Sequence, residues 1–306
     1  MNFQGKRVLV TGASGFIGRA LSRALQQQDA EVHGSICTRP AIPDIQVHPW
    51  KLRDAPAPLL DKVRPDYVFH LASPINLSRD PSLEAELNQQ IFEGGKALVL
   101  ACEDREIPLL VAGTCEEYGD NAAPFSEAMS PSPVSPYSQA KARLSQWTHQ
   151  RCRDSTLRAV VVRPFLTYGP EQVSPRLIPT AIRAALGHSG FDATDGAQTR
   201  EFNFINDMVE ALLRASRPEC EGKLLNLGGG EEHSIQTVVN RIYALAGADP
   251  NSVRWGALPH RAGEVKRFYG DHTTANEKLG SWPRTGLDEG LRATIDWWRS
   301  SGVLED

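Results

Sequence analysis

The feature that most constrains this chain is a glycine-rich turn directly after a short apolar strand. Residues 8–18 read Val-Leu-Val-Thr-Gly-Ala-Ser-Gly-Phe-Ile-Gly. The apolar start predicts a strand, and the three glycines predict a tight turn that leads at once into a helix. Because a helix N-terminus presents free N–H groups and a partial positive charge, it binds anions, typically a pyrophosphate. Gly12 allows the turn, Gly15 lets the backbone approach the phosphates, and Gly18 lets the helix pack on the strand.

Composition and charge exclude several other classes of protein. The chain has 306 residues, of which 41% are hydrophobic and 23% charged, with a net charge of −4. This predicts a globular protein of one or two closely joined domains, without a basic nucleic-acid surface or a membrane-binding face. No apolar run approaches the ~20 residues of a membrane helix, and we expect no signal peptide. The five cysteines are scattered without metal-ligand spacing, so we expect free thiols, no metal and a cytoplasmic location.

Strands and helices alternate through the first half of the chain. Apolar runs predict strands at 7–11, 31–36, 66–71, 108–113 and 158–163. Helical patterns lie near 16–28, 82–103 and 136–153. This alternation predicts an α/β fold with a doubly wound parallel sheet, in which ligands bind at the carboxyl ends of the strands. That rim would carry Gly12–Gly18, His70–Ser73, Thr114–Tyr118 and Arg163–Gly169.

The second half of the chain has shorter elements and more glycine and proline. We expect helices at 176–187, 207–216, 234–246 and 287–301, a strand at 223–227 and a hairpin-like segment at Asp192–Phe204. Asp207 is expected to cap a helix over 208–216. Residues 1–164 would then form a dinucleotide-binding domain, with part of 199–220 returning to it. Residues 165–306 would form a smaller α/β substrate lobe.

The second strong feature is the run Tyr137-Ser-Gln-Ala-Lys141. Ser135 can cap a helix that begins at Pro136, which places Tyr137 and Lys141 one turn apart on one face. A phenol is a poor acid at neutral pH, but an ammonium beside it favours the phenolate and lowers its pKa. The pair can give a proton to a carbonyl, or take one from an alcohol, while hydride moves. The alternative is an exposed helical pair without chemical function.

A hydroxyl group follows the predicted strand at 108–113. Thr114 lies 23 residues before Tyr137. Its hydroxyl can hydrogen-bond the reacting oxygen and orient it toward Tyr137. The alternative is a threonine that satisfies local backbone groups.

With these motifs the chain resembles the extended short-chain dehydrogenases/reductases of the NAD-dependent epimerase/dehydratase family, in the branch that acts on nucleotide sugars. The matching segments are Thr11–Gly18, His70–Ala72, Thr114–Gly119, Tyr137–Lys141, Arg163–Pro170, Arg200–Asp207, Leu225–Gly228, Arg261–Glu264 and Trp297–Arg299. The resemblance implies a Rossmann-type fold, hydride exchange at a nucleotide-linked sugar with NAD or NADP, and a homodimer built from the helices near 82–103 and 136–153.

The resemblance also implies roles for individual residues. The catalytic group would be Thr114, Tyr137 and Lys141, with Cys115 and Glu116 beside them. The cofactor would contact Gly12, Ser14, Gly15, Phe16, Ile17, Gly18, Arg39, Leu52, Leu71, Ala72, Tyr137, Lys141 and Pro164. The nucleotide sugar would contact Ser73, Arg176, Arg200 and Arg261, since arginine side chains suit a diphosphate.

The segment after Thr114 bears on which reaction is catalysed. Similar dehydratases place an Asp-Glu pair there, whereas this chain has Cys115 before Glu116. A thiol is a weaker acid than a carboxylic acid and a poorer proton donor to a leaving hydroxyl. The segment resembles GDP-4-keto-6-deoxymannose reductases and related keto-sugar reductases, in which Glu116 can hold a sugar hydroxyl. We therefore expect reduction of a nucleotide-linked 4-keto-6-deoxyhexose. The alternatives are a 4-epimerase, a 4,6- or 5,6-dehydratase, and a non-catalytic dinucleotide sensor.

The end of the second predicted strand bears on the choice of cofactor. NAD-dependent members carry an acid there, which bonds the ribose hydroxyls. The segment Val32–Arg39 contains no acid. Ser35, Thr38 and Arg39 suit the 2′-phosphate of NADP, although Arg39 can also simply be exposed. The sequence thus favours NADP over NAD.

Overall fold

Short strands run through most of the chain. The computed structural model describes residues 2–36, 45–173, 175–260, 265–280, 282 and 284–302. Within them the strands are β1 Arg7–Thr11, β2 Glu31–Ile36, β3 Gln46–Pro49, β4 Tyr67–His70, β5 Leu109–Ala112, β6 Ala159–Pro164, β7 Thr167–Tyr168, β8 Phe191–Asp192, β9 Thr199–Glu201, β10 Asn203–Phe204, β11 Leu224–Leu227, β12 Glu232–Ser234, β13 Val253–Arg254 and β14 Arg267–Phe268. The first two strands coincide with the predicted ones.

Helices connect these strands. They are α1 Phe16–Gln26, α2 Ala57–Val63, α3 Glu84–Leu87, α4 Gly94–Glu103, α5 Pro136–Asp154, α6 Leu177–Leu186, α7 Ile205–Ala215, α8 Ile235–Ala246, α9 Thr273–Leu279 and α10 Leu287–Ser300. A π-helical segment, Asn88–Glu93, joins α3 to α4. The predicted helix at 82–103 is therefore helical throughout, with one wider turn in the middle.

Seven strands form one parallel sheet in the order β11-β6-β5-β4-β1-β2-β3. The chain builds outward from β1 through β2 to β3, then crosses back and places β4 on the other side of β1. The strand order therefore reverses between β1 and β4, and ligands bind above such a reversal in open α/β sheets. This is the predicted doubly wound, Rossmann-type fold.

The two faces of the sheet are covered by different sets of helices. In β1, Val8 and Val10 belong to one apolar cluster and Leu9 to the other, because successive side chains of a strand point to opposite faces. The first cluster includes residues of α1, α6, α7, α8 and α10, and the second includes residues of α2, α4 and α5. Each fully buried aliphatic side chain contributes roughly 1.5–3 kcal/mol of burial free energy.

The predicted hairpin at Asp192–Phe204 is wrong. Its three short strands each pair with a different partner: β8 with β13, β9 with β12 and β14, and β10 with β7. Long-range pairings therefore replace the local hairpin. Farther along, β11 pairs with β6 and so belongs to the large sheet.

The predicted capping role of Asp207 is also wrong. Helix α7 begins at Ile205, two residues before the aspartate, and its N-cap is Phe204. The Asp207 carboxylate instead accepts hydrogen bonds from the backbone N–H (2.6 Å) and the hydroxyl (2.9 Å) of Thr285. It thereby ties α7 to the segment that leads into α10.

Candidate active site

The glycine turn has a backbone geometry that excludes side chains. Gly12 has φ +74°, and a Cβ at this position would lie 2.8 Å from the Cα of Ala72. A Cβ at Gly18 would overlap the carbonyl oxygen of Gly12. Helix α1 follows with Gly15 as its N-cap, and no side chain of the described residues caps it. The turn therefore presents uncapped backbone N–H groups in a narrow cradle, which fits a pyrophosphate.

The end of β4 is fastened to the glycine turn. The hydroxyl of Thr11 lies 2.8 Å from Nδ1 of His70 and accepts a hydrogen bond of 3.2 Å from the backbone N–H of Ala72. Burial, together with the charge of Lys141, lowers the pKa of His70 to about 3. A neutral imidazole therefore holds the two strand ends together and positions Leu71 and Ala72 beside the turn.

Helix α5 begins as the sequence predicts. Ser135 is its N-cap and accepts a hydrogen bond of 3.1 Å from the backbone N–H of Ser138, while Pro136 occupies the first helical position. Tyr137 is only 6% exposed and Lys141 only 3%. The interpretation of this pair as exposed is therefore wrong, since both side chains are buried at the carboxyl edge of the sheet.

Burial sets the protonation of the pair. It raises the pKa of Tyr137 well above its usual value, although a hydrogen bond with Thr114 opposes this. The direction is opposite to the lowering expected from a nearby ammonium, because burial of the phenol dominates. Burial lowers the pKa of Lys141 to about 8, and the charge of Glu117 opposes that shift. At neutral pH the site therefore holds a protonated phenol and an ammonium.

Thr114 satisfies a local backbone group and also contacts Tyr137. It is the N-cap of a 3₁₀ turn over Cys115–Tyr118, and its hydroxyl accepts a hydrogen bond of 3.3 Å from the backbone N–H of Glu116. The same side chain hydrogen-bonds Tyr137. The local turn thus fixes the threonine hydroxyl next to the phenol.

Cys115 points into an apolar cluster. It is 3% exposed and clusters with Tyr118, Phe125, Phe165 and Phe268. Burial raises the pKa of its thiol well above the ordinary value, and the charge of Glu116 raises it further. Glu116 itself is partly exposed. Cys115 is therefore a protonated thiol among aromatic rings, whereas Glu116 is a carboxylate at the surface of the site.

A buried ion pair, which was not predicted from the sequence, lies beneath the threonine turn. One oxygen of Glu117 accepts hydrogen bonds from the backbone N–H of Thr114 (2.9 Å) and the hydroxyl of Ser145 (2.7 Å). The other accepts from Nε of Arg163 at 2.7 Å. Arg163 also donates to the hydroxyl of Tyr118 at 2.9 Å. A lone arginine inside the apolar strand β6 was the available signal, because a buried arginine needs an acidic partner.

The remaining predicted cofactor residues lie around the same edge. Ser14 is buried, and Phe16, Ile17 and Leu71 are half-buried. Pro164 ends β6. Leu52 follows β3 and is half-buried, and its carbonyl oxygen lies so close to Gly94 that a Cβ there would overlap it. Arg39 and Thr38 lie outside the described residues.

The predicted substrate residues are more scattered. Ser73 is half-buried, and its hydroxyl donates to the carbonyl oxygen of Pro74 at 3.3 Å. Arg176 is exposed at the N-cap of α6. Arg200 is half-buried, donates to the carbonyl oxygens of Thr199 (2.8 Å) and Val265 (3.0 Å), and lies over the ring of Phe268. Arg261 lies outside the described residues.

The site therefore combines a dinucleotide cradle with a buried Tyr–Lys pair and a half-buried threonine. A model of the NAD dependent epimerase/dehydratase family matches residues 8–228. The chain belongs to this family. Epimerase/dehydratase members are NAD-dependent enzymes of the extended short-chain dehydrogenase/reductase type that act on nucleotide sugars.

Relatives of this epimerase/dehydratase family member match along nearly their full length. A UDP-glucose 4-epimerase of Mycolicibacterium smegmatis is 29% identical over 322 residues, which cover 96% of this chain and 99% of the relative. A dTDP-glucose 4,6-dehydratase of Neisseria gonorrhoeae is 30% identical over 336 residues, covering 97% of each chain. The solved structure of MoeE5 in complex with UDP-glucuronic acid and NAD has a TM-score of 0.86 and 31% identity, covering 96% of this chain and 99% of its own.

Metal-binding clusters and membrane-spanning helices are both absent from the part of this family member that the structure describes. The His, Cys, Asp and Glu side chains there form no group suited to hold a metal ion. None of the helices there is both long and apolar enough to cross a membrane.

Proposed function

We propose that this enzyme reduces a nucleotide-linked 4-keto-6-deoxyhexose by hydride transfer from NADPH. The observation that carries the proposal is the surroundings of Cys115. Elimination of water needs an acid that protonates the leaving hydroxyl, and the position after Thr114 holds a thiol buried among aromatic rings. A thiol with a raised pKa is a poor proton donor to a leaving group. Thr114 and Tyr137, which would serve hydride exchange, are hydrogen-bonded to each other, and this supports the proposal.

The residues of the site can carry the proton chemistry of a reduction. NADPH, when bound, supplies the hydride. Tyr137 remains protonated at neutral pH because burial raises its pKa, so it can give its proton to the carbonyl oxygen of the sugar as negative charge develops there. The hydroxyl of Thr114 would hold that oxygen by a second hydrogen bond. The ammonium of Lys141 would stabilise the tyrosinate that remains and bind the nicotinamide ribose.

The cofactor preference follows from the end of β2. Glu31 is the only acid in β2, lies at the start of the strand and is exposed, so no carboxylate of that strand faces the ribose at its end. Thr38 and Arg39 would bind the 2′-phosphate of NADP, whereas Ser35, expected to share this role, is buried within β2. NAD is the alternative, as in the MoeE5 complex. The diphosphate of the sugar nucleotide would be bound by Arg200 and Arg261, with Arg176 as a further candidate.

We also propose a homodimer and two binding regions within each chain. The helical segments 82–103 and 136–153 would form a homodimer interface. Residues 1–164 would bind the cofactor and residues 165–306 the nucleotide sugar.

An epimerase that retains its NAD is the second candidate. The UDP-glucose 4-epimerase among the relatives favours it. In that reaction Tyr137 would first have to lose its proton; it would then take the proton of the 4-hydroxyl and later return it, while Thr114 would again hold that oxygen.

Product analysis separates the candidates. The purified protein is incubated with UDP-, GDP-, dTDP- and CDP-hexoses without added cofactor, and separately with their 4-keto-6-deoxy derivatives and NADPH. A reductase forms product only in the second set, with consumption of NADPH. Isomerised or dehydrated product in the first set would overturn the proposal.

A further inference from the structure

Glu117 is a buried acidic side chain that the proposed proton chemistry does not use. It is fully buried, and both of its carboxylate oxygens are engaged. The contacts reach three elements: the backbone of the Thr114 turn, Ser145 on α5 and Arg163 on β6. A single carboxylate thus joins the strand, helix and turn that surround Tyr137 and Lys141.

Packing alone does not account for a charge at this position. Burial of an ion pair costs desolvation energy, and a well-packed apolar pair of similar size often does as well or better. Here the carboxylate is fully hydrogen-bonded, and one of its bonds goes to the backbone N–H of Thr114 at 2.9 Å. That N–H belongs to the residue whose hydroxyl contacts Tyr137, so the carboxylate determines where this hydroxyl lies.

The charge of Glu117 also acts on the ammonium. The carboxylate lies close to Lys141: Ser145, which donates to Glu117 at 2.7 Å, follows Lys141 by one turn of α5. The ammonium itself donates to the carbonyl oxygen of Ala112, two residues before Thr114. His70 is neutral at neutral pH, because burial lowers its pKa to about 3. Burial lowers the pKa of Lys141 to about 8, and Glu117 supplies the opposing charge. The pKa of Tyr137 is affected by a hydrogen bond with Thr114 and by the neighbouring groups of Cys115, Glu116 and Glu117.

We propose that Glu117 is a positioning residue: it fixes the Thr114 turn and places a negative charge close to Lys141. The inference rests on the proposed function for the roles of Thr114 and Lys141. It adds a dependence on a carboxylate that contacts neither sugar nor cofactor.

The test uses binding of NADPH, followed by its fluorescence between pH 6.5 and 9.5. In the unaltered protein, affinity should fall as Lys141 loses its proton. Lys141→Met should abolish that transition and so identify it. Glu117→Gln keeps the size and the acceptor oxygen but removes the charge, and its transition should move to lower pH by about one unit. Ser145→Ala removes one hydrogen bond to Glu117 but keeps the charge, and its transition should stay in place.

A second variant separates position from charge. Glu117→Asp keeps the charge but is too short to reach both Thr114 and Arg163. It should bind NADPH with an unshifted transition while turnover falls about tenfold or more at every pH. An unshifted transition in Glu117→Gln would overturn the electrostatic part, and unchanged turnover in Glu117→Asp would overturn the positional part.

Two outcomes of this test are distinct from failure of the proposed function. If Glu117→Gln unfolds, Glu117→Asp still decides the positional part. The double variant Glu117→Gln/Arg163→Met leaves no orphan charge and decides the electrostatic part: its transition should move in the same direction but by less, because a positive charge is removed as well. If no keto-sugar is reduced, the reductase proposal fails, but the binding transition still reports on Glu117 and Lys141.

Discussion

Lys141 donates a hydrogen bond of 2.7 Å from Nζ to the carbonyl oxygen of Ala112, the last residue of β5. This bond connects the helix that carries Tyr137 to the strand that leads into Thr114. The three candidate catalytic side chains are therefore held by a strand, a capped helix and a 3₁₀ turn that contact one another. Such support is what fixes a proton donor to within a fraction of an ångström of its working position.

Removal of the Tyr137 hydroxyl should separate catalysis from binding. Tyr137→Phe removes the proton donor, so hydride exchange with the sugar should fall by about 10²- to 10⁴-fold. NADPH affinity should change little, as measured by fluorescence titration. Tyr67→Phe is the matched control, because Tyr67 is also buried but lies at the start of β4, at the other end of the strand from His70 and the site. Turnover that survives Tyr137→Phe would assign proton transfer to another group.

Cys115 should be dispensable for turnover. Its thiol is buried among aromatic rings with a raised pKa, so it should contribute packing and not acid catalysis. Cys115→Ala should keep turnover within about threefold while it lowers the free energy of unfolding by roughly 1 kcal/mol, because a small cavity remains. Steady-state kinetics and urea unfolding measure both effects. Complete loss of product with intact folding would make Cys115 an acid and support a dehydratase.

The glycine turn should tolerate no Cβ at Gly18. A Cβ there would overlap the carbonyl oxygen of Gly12, and backbone cannot move aside cheaply. Gly18→Ala should lower the free energy of unfolding by about 1–3 kcal/mol and weaken NADPH binding. Gly286→Ala is the control, since nothing lies within 4 Å of its Cβ and its φ is −61°. Equal effects of the two substitutions would contradict the assigned cradle.

His70 should make the protein less stable in mild acid. Its pKa is about 3 in the folded state, below the ordinary 6.5, so the unfolded chain binds the proton first. The stabilisation is complete above pH 6.5 and is lost toward pH 3, at about 1.4 kcal/mol per pH unit. The free energy of unfolding, measured with urea, should therefore be about 2 kcal/mol lower at pH 5.0 than at pH 7.5 because of His70.

The contribution of His70 can be isolated with a pair of variants. His70→Asn keeps a polar atom near Thr11 but does not titrate in this range, so the pH dependence should weaken by that amount. His188→Asn changes an exposed histidine and should leave the pH dependence as it is. An identical dependence in both variants would rule out the assignment.

Features with a strong local signal could be predicted from the sequence. The strands β1 and β2 were expected at 7–11 and 31–36, and they lie there. The signal is strongest in β1, where three consecutive apolar residues run directly into the glycine turn. Ser135 before Pro136 marks the start of α5, because a serine cap and a proline at the first helical position both favour a helix start through contacts within four residues. The short strand β3 and the helices α2 and α9 were not predicted, since few residues carry their pattern.

Features that depend on distant partners could not be predicted. Glu117 looks like a loop carboxylate until Arg163, 46 residues away, is placed beside it. Asp207 looks like a helix cap until Thr285, 78 residues away, binds it. The pKa of Tyr137 rises because of burial, and burial is a property of the assembled fold that the spacing of Tyr137 and Lys141 does not reveal.

The most direct test of the account is to follow deuterium from C4-labelled NADPH into the sugar. The protein is incubated with nucleotide-linked 4-keto-6-deoxyhexoses and the labelled cofactor, and the products are analysed by mass spectrometry and NMR. The account predicts one deuterium at C4 of the product for each NADPH consumed, and loss of this transfer in Tyr137→Phe. Unlabelled product that has been isomerised or dehydrated, formed without consumption of NADPH, would contradict it.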